Sequence, residues 1–404
     1  MAGGEPDNHD RDAAAGLSML IPLRYNVRYI VRRWQSTALT AGTFALVVAS
    51  FVIAMSLAEG IERALTTTGN PLNVIVMRSG AQAEGQSQIE VEQYPIVRNV
   101  PGIAPDIDGE PLAVPEILTL VNKPRLDGKT ANVQIRGTNA DAFKLRPAVR
   151  IVEGRMFRPG LREAIVARPL AKRFRGFGLG DRQRFGRGTF TVVGVFDASG
   201  TAFDSEVWTD ARELMQEFDR NIYSSVVVRA RDAGAVDTIR AAVEDDKRLK
   251  LVAKDEVTYY AEQTATAKPV KAFAMFLAFT MAIGACFAGM NTMYANVANR
   301  VREIGTLRIL GFTPFAVMTS FLIESVCLAL IGGAIGCLLA LPINGVATGT
   351  TNFVSFSEVI FSFTITPALM MKGMLFAAAM GFAGGLPPAW SASRQPILAA
   401  LRQL

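Results

Sequence analysis

Four long apolar runs divide the chain. Ala38 to Ala58 carries no charge over about 21 residues, enough for about 30 Å of helix and one crossing of a bilayer. Val270 to Ala298 is broken only by Lys271, Ala316 to Thr350 carries Glu324 as its one charge, and Leu369 to Trp390 closes the series. These runs predict transmembrane helices at 38–58, 270–298, 314–349 and 369–390, with an outer loop at 350–368. The stretch 59–269 has a different pattern, with mixed charges, frequent Gly and Pro, and short β-rich runs. Strands are expected at Asn73–Met77, Asn132–Ile135, Ala164–Ala167, Phe190–Phe196 and Ser225–Arg229, and helices at Arg168–Phe174, Asp210–Phe218 and Gly234–Val243. At about 200 residues this α+β domain is large enough for its own core. The predicted fold class is an α-helical membrane protein with four transmembrane helices and a large α+β extracytoplasmic domain between the first and second.

Charge placement orients the spans. Ahead of the first, Leu23, Val27, Ile30, Val31 and Trp34 share one helical face, while Arg24, Arg28 and Arg32 step by fours on another. Residues 22–37 are read as an amphipathic helix on the inner membrane surface, with Arg24, Arg28, Arg32 and Trp34 as interfacial anchors. A helix docked on another protein is the alternative. Residues 1–21, polar and without the apolar core of a signal peptide, read as a disordered cytoplasmic tail. Between the second and third spans lies a basic connector, 299–313. In it Val301, Ile304, Leu307 and Leu310 form an apolar stripe, with Arg300, Arg302, Glu303 and Arg308 off it. Gly311 supplies a left-handed helix stop, and Thr313–Pro314 a cap and first turn for the next helix. By the positive-inside rule the connector is cytoplasmic, as are both termini, including a tail at 391–404. The domain at 59–269 is then outside.

Composition narrows the function. Half of the 404 residues are hydrophobic, and the formal charge of +6 has no Lys/Arg run dense enough for nucleic acid, so the bilayer is the expected partner. The single histidine, His9, sits in the polar tail, which removes histidine-based catalysis. Cys286, Cys327 and Cys337 all fall in apolar runs and are read as packing residues, with no metal site. The basic stretch Arg146 to Arg187 is read as a solvated face, against the alternative of a docking surface for an acidic partner or for lipid phosphates. The glycines of 176–188 lack phosphate-loop spacing; Gly180-Asp181 and Arg187-Gly188 read as hairpin turns. In the third span, Gly332 and Gly336 form a GxxxG that lets another helix approach closely. Glu324 lies about 15 Å along the helix from Pro314 and should face protein or water, in a polar helix–helix contact or in cargo or proton movement, unless the span begins later and the residue sits near the headgroups.

The segment Asn291–Gly336 (NTMYANVANRVREIGTLRILGFTPFAVMTSFLIESVCLALIGGAIG) closely resembles the C-terminal region of the MacB/FtsX-type ABC transporter permeases. The ending PPAWSASRQPILAALR resembles that family's closing segment, and EGRMFRPGLREAIVARPLAKRF with FTVVGVF resembles its periplasmic domain. The resemblance implies a bacterial inner-membrane permease whose segment Arg300–Gly311 couples to an ATPase, with Arg300, Arg302, Glu303, Ile304, Gly305, Leu307, Arg308 and Gly311 as coupling residues. It further implies a subdomain inserted at about 149–219, and an acid at the Glu324 position. No Walker A spacing occurs in the sequence, so the likeness is to the split arrangement, with ATP and Mg held by a separate ATPase subunit in two copies and no cofactor on this chain. The implied partners are a second permease chain, identical or different, together with a periplasmic membrane-fusion adaptor and an outer-membrane channel.

The expected function is mechanotransmission. The resemblance implies that ATP-driven closure of the cytoplasmic subunits tilts the spans and moves the outer domains, which would export or extract a hydrophobic or amphiphilic cargo. Few ionisable residues in the spans argue against a polar route through the membrane. Continuous helix from Ala261 into the second span would make a stiff lever. Two rivals stay open, a lipoprotein-releasing permease and an FtsX-like regulator of an extracytoplasmic enzyme. A membrane enzyme is disfavoured because no nucleophile, base or metal cluster can be assembled.

Overall fold

The computed structural model describes residues 34–264, 267–352 and 355–395. The anchors Arg24, Arg28 and Arg32, the tail 1–21 and the end of the chain from 396 lie outside the described residues. The helices that matter here are α1 (Trp34–Thr66), α2 (Ala211–Glu217), α3 (Ala233–Glu244), α4 (Glu256–Gln263), α5 (Ala267–Asn299), α6 (Val301–Ile309), α7 (Pro314–Ala340) and α8 (Pro367–Ser393). The strands are β1 (Asn73–Arg78), β2 (Ile89–Glu90), β3 (Ala113–Pro124), β4 (Thr130–Thr138), β5 (Arg150–Gly154), β6 (Glu163–Ala167), β7 (Arg182–Phe185), β8 (Gly188–Asp197), β9 (Glu206–Asp210), β10 (Ile222–Tyr223), β11 (Ser225–Arg229), β12 (Leu251–Asp255), β13 (Ala347–Thr351) and β14 (Glu358–Ser362).

The chain divides into two compact units. One comprises residues through Ser56, Lys271–Asn344 and Ile365 onward, and the other Leu57–Val270 with Gly345–Thr364. In the first unit, α1, α5, α7 and α8 are each long and apolar enough to cross a membrane. Their shared core gathers Phe44, Val48 and Val52 of α1, Ala329 and Cys337 of α7, and Leu369 and Ala377 of α8. Small residues make this packing close. A Cβ on Gly332 would stand 2.5 Å from the Ala41 carbonyl oxygen, and one on Gly336 the same distance from that of Ala45. The GxxxG face of α7 is thus filled by α1 of the same chain. On its other side, Ser325 Oγ of α7 donates to the Gly381 carbonyl of α8 at 2.8 Å.

The second unit is built on one twisted sheet, ordered β12-β1-β11-β3-β4-β9-β6-β8-β5, with β7 beside β8. The β4/β9 and β6/β8 pairs are parallel and the others antiparallel. Alternation along β1 serves both faces. Val74 and Val76 meet α3 through Val236 and Ile239, while Ile75 and Met77 enter the opposite core with Trp208 and Tyr260. Side-chain carboxylates cap the helices: Asp210 accepts from Arg212 N, Asp232 from Ala235 N and Asp255 from Thr258 N. The segment 149–219 forms one end of this shared sheet, joined through β4/β9.

Several expectations change. The third span does not run to 349: α7 ends at Ala340, a 3-10 turn at Leu341–Ile343 contains Pro342, and Gly345 adopts φ +79°. The Thr-rich stretch beyond then pairs as β13 with β14, so 350–368 is not a bare loop. That hairpin belongs to the α/β unit, where Glu358 meets Arg173 at 2.9 Å and Arg125 at 3.3 Å, and Ser205 Oγ accepts from Ile360 N at 2.7 Å. The first helix passes Ala58 and continues to Thr66, its polar turns carrying Ile61, Ala64 and Leu65 into the α/β core; Trp34–Thr37 are continuous with it. The other predicted limits, 270–298, 299–313 and 369–390, become Ala267–Asn299, Val301–Ile309 and Pro367–Ser393. Unbroken helix from Ala261 is not described: α4 ends at Gln263, α5 starts at Ala267, and 265–266 lie outside the described residues. The helix expected at Arg168–Phe174 is a single turn, Arg168–Ala171. The tight turn between β7 and β8 is Gly186-Arg187, one residue earlier than expected, because Gly186 takes φ +62° and Phe185 pairs with Gly188.

Candidate functional site

The connector folds into a corner organised by Arg300. This residue sits at the break between α5 and α6, with φ −115° and ψ 14°, and is 5% exposed. Its Nη1 donates to Glu324 Oε2 at 3.0 Å and its Nε to Glu303 Oε2 at 2.9 Å, with the guanidinium 5.0 Å above the Phe321 ring. Glu324, 2% exposed on α7, is therefore the buried end of an ion pair that ties the α5/α6 junction to the next span. A carboxylate at that depth needs such a partner, since an unpaired charge in apolar surroundings costs several kcal/mol. Of the readings open for Glu324, the geometry is that of the helix–helix contact.

Around this pair, Ile304 packs with Met293 and Val297 of α5, Val317 and Phe321 of α7, and Ala389 and Ala392 of α8. The predicted apolar stripe is only partly inward. Ile304 and Gly305 are buried, Val301 and Leu307 half-buried, and Leu310 is 70% exposed. A nine-residue helix has turned past its buried face by Leu310, which also lies beyond its last residue. The outer surface carries Arg302, Glu303, Ile309 and Leu310. Gly311 has φ +96°, Arg308 Nη1 donates to the Phe312 carbonyl at 3.1 Å, and Thr313 Oγ1 accepts from Ala316 N at 3.1 Å to start α7. The corner is a short helix with a fixed inner face and a mixed basic and apolar outer face.

The α/β unit holds a second constellation that sequence reasoning missed. Arg136 on β4 donates to both oxygens of Glu206 at 2.7 and 2.8 Å, and also to Glu116 and Glu84. Arg146 binds Glu116 through both terminal nitrogens and lies 4.6 Å from the Phe203 ring. Glu256 accepts from Asn73 Nδ2 at 2.7 Å and stands 3.8 Å from Arg146 Nε. Burial would raise the Glu116 carboxyl, but the Arg146 and Arg136 guanidiniums overcome it and hold it at about 2. Burial raises Glu256, and Arg146 offsets only part of that. The expectation that Arg146 begins a solvated basic face is corrected, since it is buried; Arg173 is half-buried on Glu358, while Lys172, Arg175, Arg182, Arg184 and Arg187 are exposed. The signal was present in β3 and β4, where Glu116 and Arg136 stand among Val, Ile and Leu. A cavity of about 350 Å³ opens beside the network, lined in part by Glu84, Arg136, Glu206 and Tyr260. Among the described residues, no three His, Cys, Asp or Glu side chains come together as a metal site.

Comparison with known proteins fits this architecture. Residues 37–246 match the family described as MacB-like periplasmic core domain, and residues 275–397 the FtsX-like permease C-terminal family. The macrolide export ATP-binding/permease protein MacB of Bdellovibrio bacteriovorus is 24% identical over 396 residues, covering 89% of this chain and 57% of that protein. MacB 1 of Yersinia pestis is 30% identical over 228 residues, covering 53% of this chain and 33% of its own. The chain thus spans between a third and just over half the length of these relatives. Two solved structures are similar: the extracellular domain of the noncanonic ABC-type transporter YknZ from Gram-positive bacteria (TM-score 0.35, 18% identity, 45% of this chain and 98% of that one) and the periplasmic region of MacB from Actinobacillus actinomycetemcomitans (TM-score 0.37, 10% identity, 48% and 92%). The protein is a membrane protein with four spans among the described residues and a periplasmic-type α/β domain between the first two of them. It belongs to the MacB/FtsX-type permease family of ABC transporters.

Proposed function

We propose that this chain is the permease subunit of an ABC transporter, in which a partner ATPase binding ATP and Mg drives the α6 corner and the motion reaches the periplasmic domain. That domain then exports or extracts a hydrophobic or amphiphilic cargo. The observation that carries the reading is the Arg300–Glu324 pair, because a push on the outer face of α6 passes through a buried ion pair into α5 and α7 together. Arg302, Glu303, Leu307, Arg308 and Gly311 are the coupling residues, with Ile304 and Gly305 as the inner anchor. The corner and both termini are assigned to the cytoplasm of a bacterial inner membrane, two permease chains working with two ATPase subunits. A membrane-fusion adaptor and an outer-membrane channel complete the proposed assembly. The chain itself is read as non-enzymatic.

The test is co-expression with the cognate ATPase and purification of the complex. Glu303→Lys should reduce co-purified ATPase, or its turnover, several-fold while the α/β domain stays folded. An unchanged complex with unchanged turnover would overturn the coupling assignment.

A further inference from the structure

A groove of about 610 Å³ lies beside the corner, between the end of α6, the start of α7 and the last turn of α8. Its lining includes Arg308, Phe315, Met318, Trp390 and Arg394, and among the described residues no carboxylate. Arg308 uses one nitrogen on the Phe312 carbonyl, and its buried Nε has no partner. The Arg394 guanidinium lies 4.6 Å from the Trp390 ring. Phe315 and Trp390 are exposed, one in the first turn of a membrane-length helix and the other near the last turn of its neighbour.

From this arrangement we infer that the groove binds the phosphate headgroup of an anionic phospholipid. The two guanidiniums supply fork-shaped donors suited to phosphate oxygens. The aromatic rings stand where a helix leaves the hydrocarbon, and Met318 continues the apolar wall towards the acyl chains. Basic pockets between span ends are sites where membrane charge is concentrated. A protein surface would satisfy the arginines equally well, but the walls belong to span ends, at the depth of lipid headgroups. The inference does not depend on the coupling role of α6.

The experiment is native mass spectrometry of the full chain released from detergent, after equilibration with phosphatidylglycerol or phosphatidylcholine. One phosphatidylglycerol should be retained in preference to phosphatidylcholine. Arg308→Gln with Arg394→Gln should lower its retention roughly tenfold or more, and Arg394→Gln alone, which leaves the Arg308 cap on Phe312 intact, should give an intermediate loss. Unchanged melting of the variants shows that the loss is not unfolding. Equal retention of the two lipids, or undiminished retention by the double variant, would overturn the proposal. Displacement by millimolar inorganic phosphate would assign the groove to free anions, and displacement on ATPase assembly would assign it to the protein partner; either result rejects the lipid.

Discussion

Glu116 and Glu256 lie on one network but respond oppositely to acid. The folded pKa of Glu116, about 2, lies below its ordinary 4.5, so the stability it contributes is present above about pH 4.5 and lost as pH falls towards 2. Glu256 is raised, so its contribution is fully present at low pH and lost as pH rises through its folded pKa. Glu116→Gln should therefore cost about 3–5 kcal/mol near neutrality by leaving Arg146 and Arg136 under-paired, and should flatten the acid limb of a melting-temperature profile. A steep acid limb in the variant would show that other carboxylates govern it. In the membrane unit, Glu324→Leu removes the buried carboxylate that Arg300 meets at 3.0 Å. ATP turnover in the assembled complex should then lose its response to the permease, while Glu324→Asp retains part of it. Neither network could be read in full from the sequence. Burial of Arg136, Arg146 and Arg300 depends on strands and helices far apart in the chain, whereas local pattern reports only which faces alternate.

Elements were legible where one period dominated. The four spans, and strands such as Asn73–Arg78 and Ser225–Arg229, are continuous apolar runs whose length decides the type. Limits were lost where apolar character and helix part company. Past Ala58 the helix continues through Glu59, Glu62 and Arg63, and past Ala340 the apolar stretch abandons helix because Pro342 and Gly345 interrupt it. β3, β7, β9 and β12 escaped notice because their charged and polar residues blur the alternation. Two predictions belong at this scale. Gly336→Leu drives a side chain into the α1 backbone and should destabilise the span bundle by about 1–3 kcal/mol or more, read as a lower melting temperature in nanodiscs. Glu358→Ala removes the carboxylate shared by Arg125 and Arg173 and should raise hydrogen exchange across 347–362 without changing exchange in β1 or β11.

At the scale of the whole molecule, the proposed cycle needs the periplasmic domains of paired chains to move. A disulfide introduced between the two domains should stop transport under oxidising conditions while leaving ATPase binding intact, and reduction should restore it; transport that continues when locked would exclude the mechanism. The hairpin β13/β14 also has a consequence for biogenesis. The α/β unit is complete only when Gly345–Thr364 has been synthesised, although the rest of the unit ends at Val270. At about 5–20 residues per second the ribosome needs roughly 5 to 20 s to make the intervening stretch, which includes two spans. During that interval Arg125 and Arg173 wait without Glu358, and the backbone N–H of Ile360 has yet to reach Ser205. The nascent domain is then an unfinished structure whose contacts at Arg125, Arg173 and Ser205 are unmade, the stage at which a chaperone or protease would have its best access.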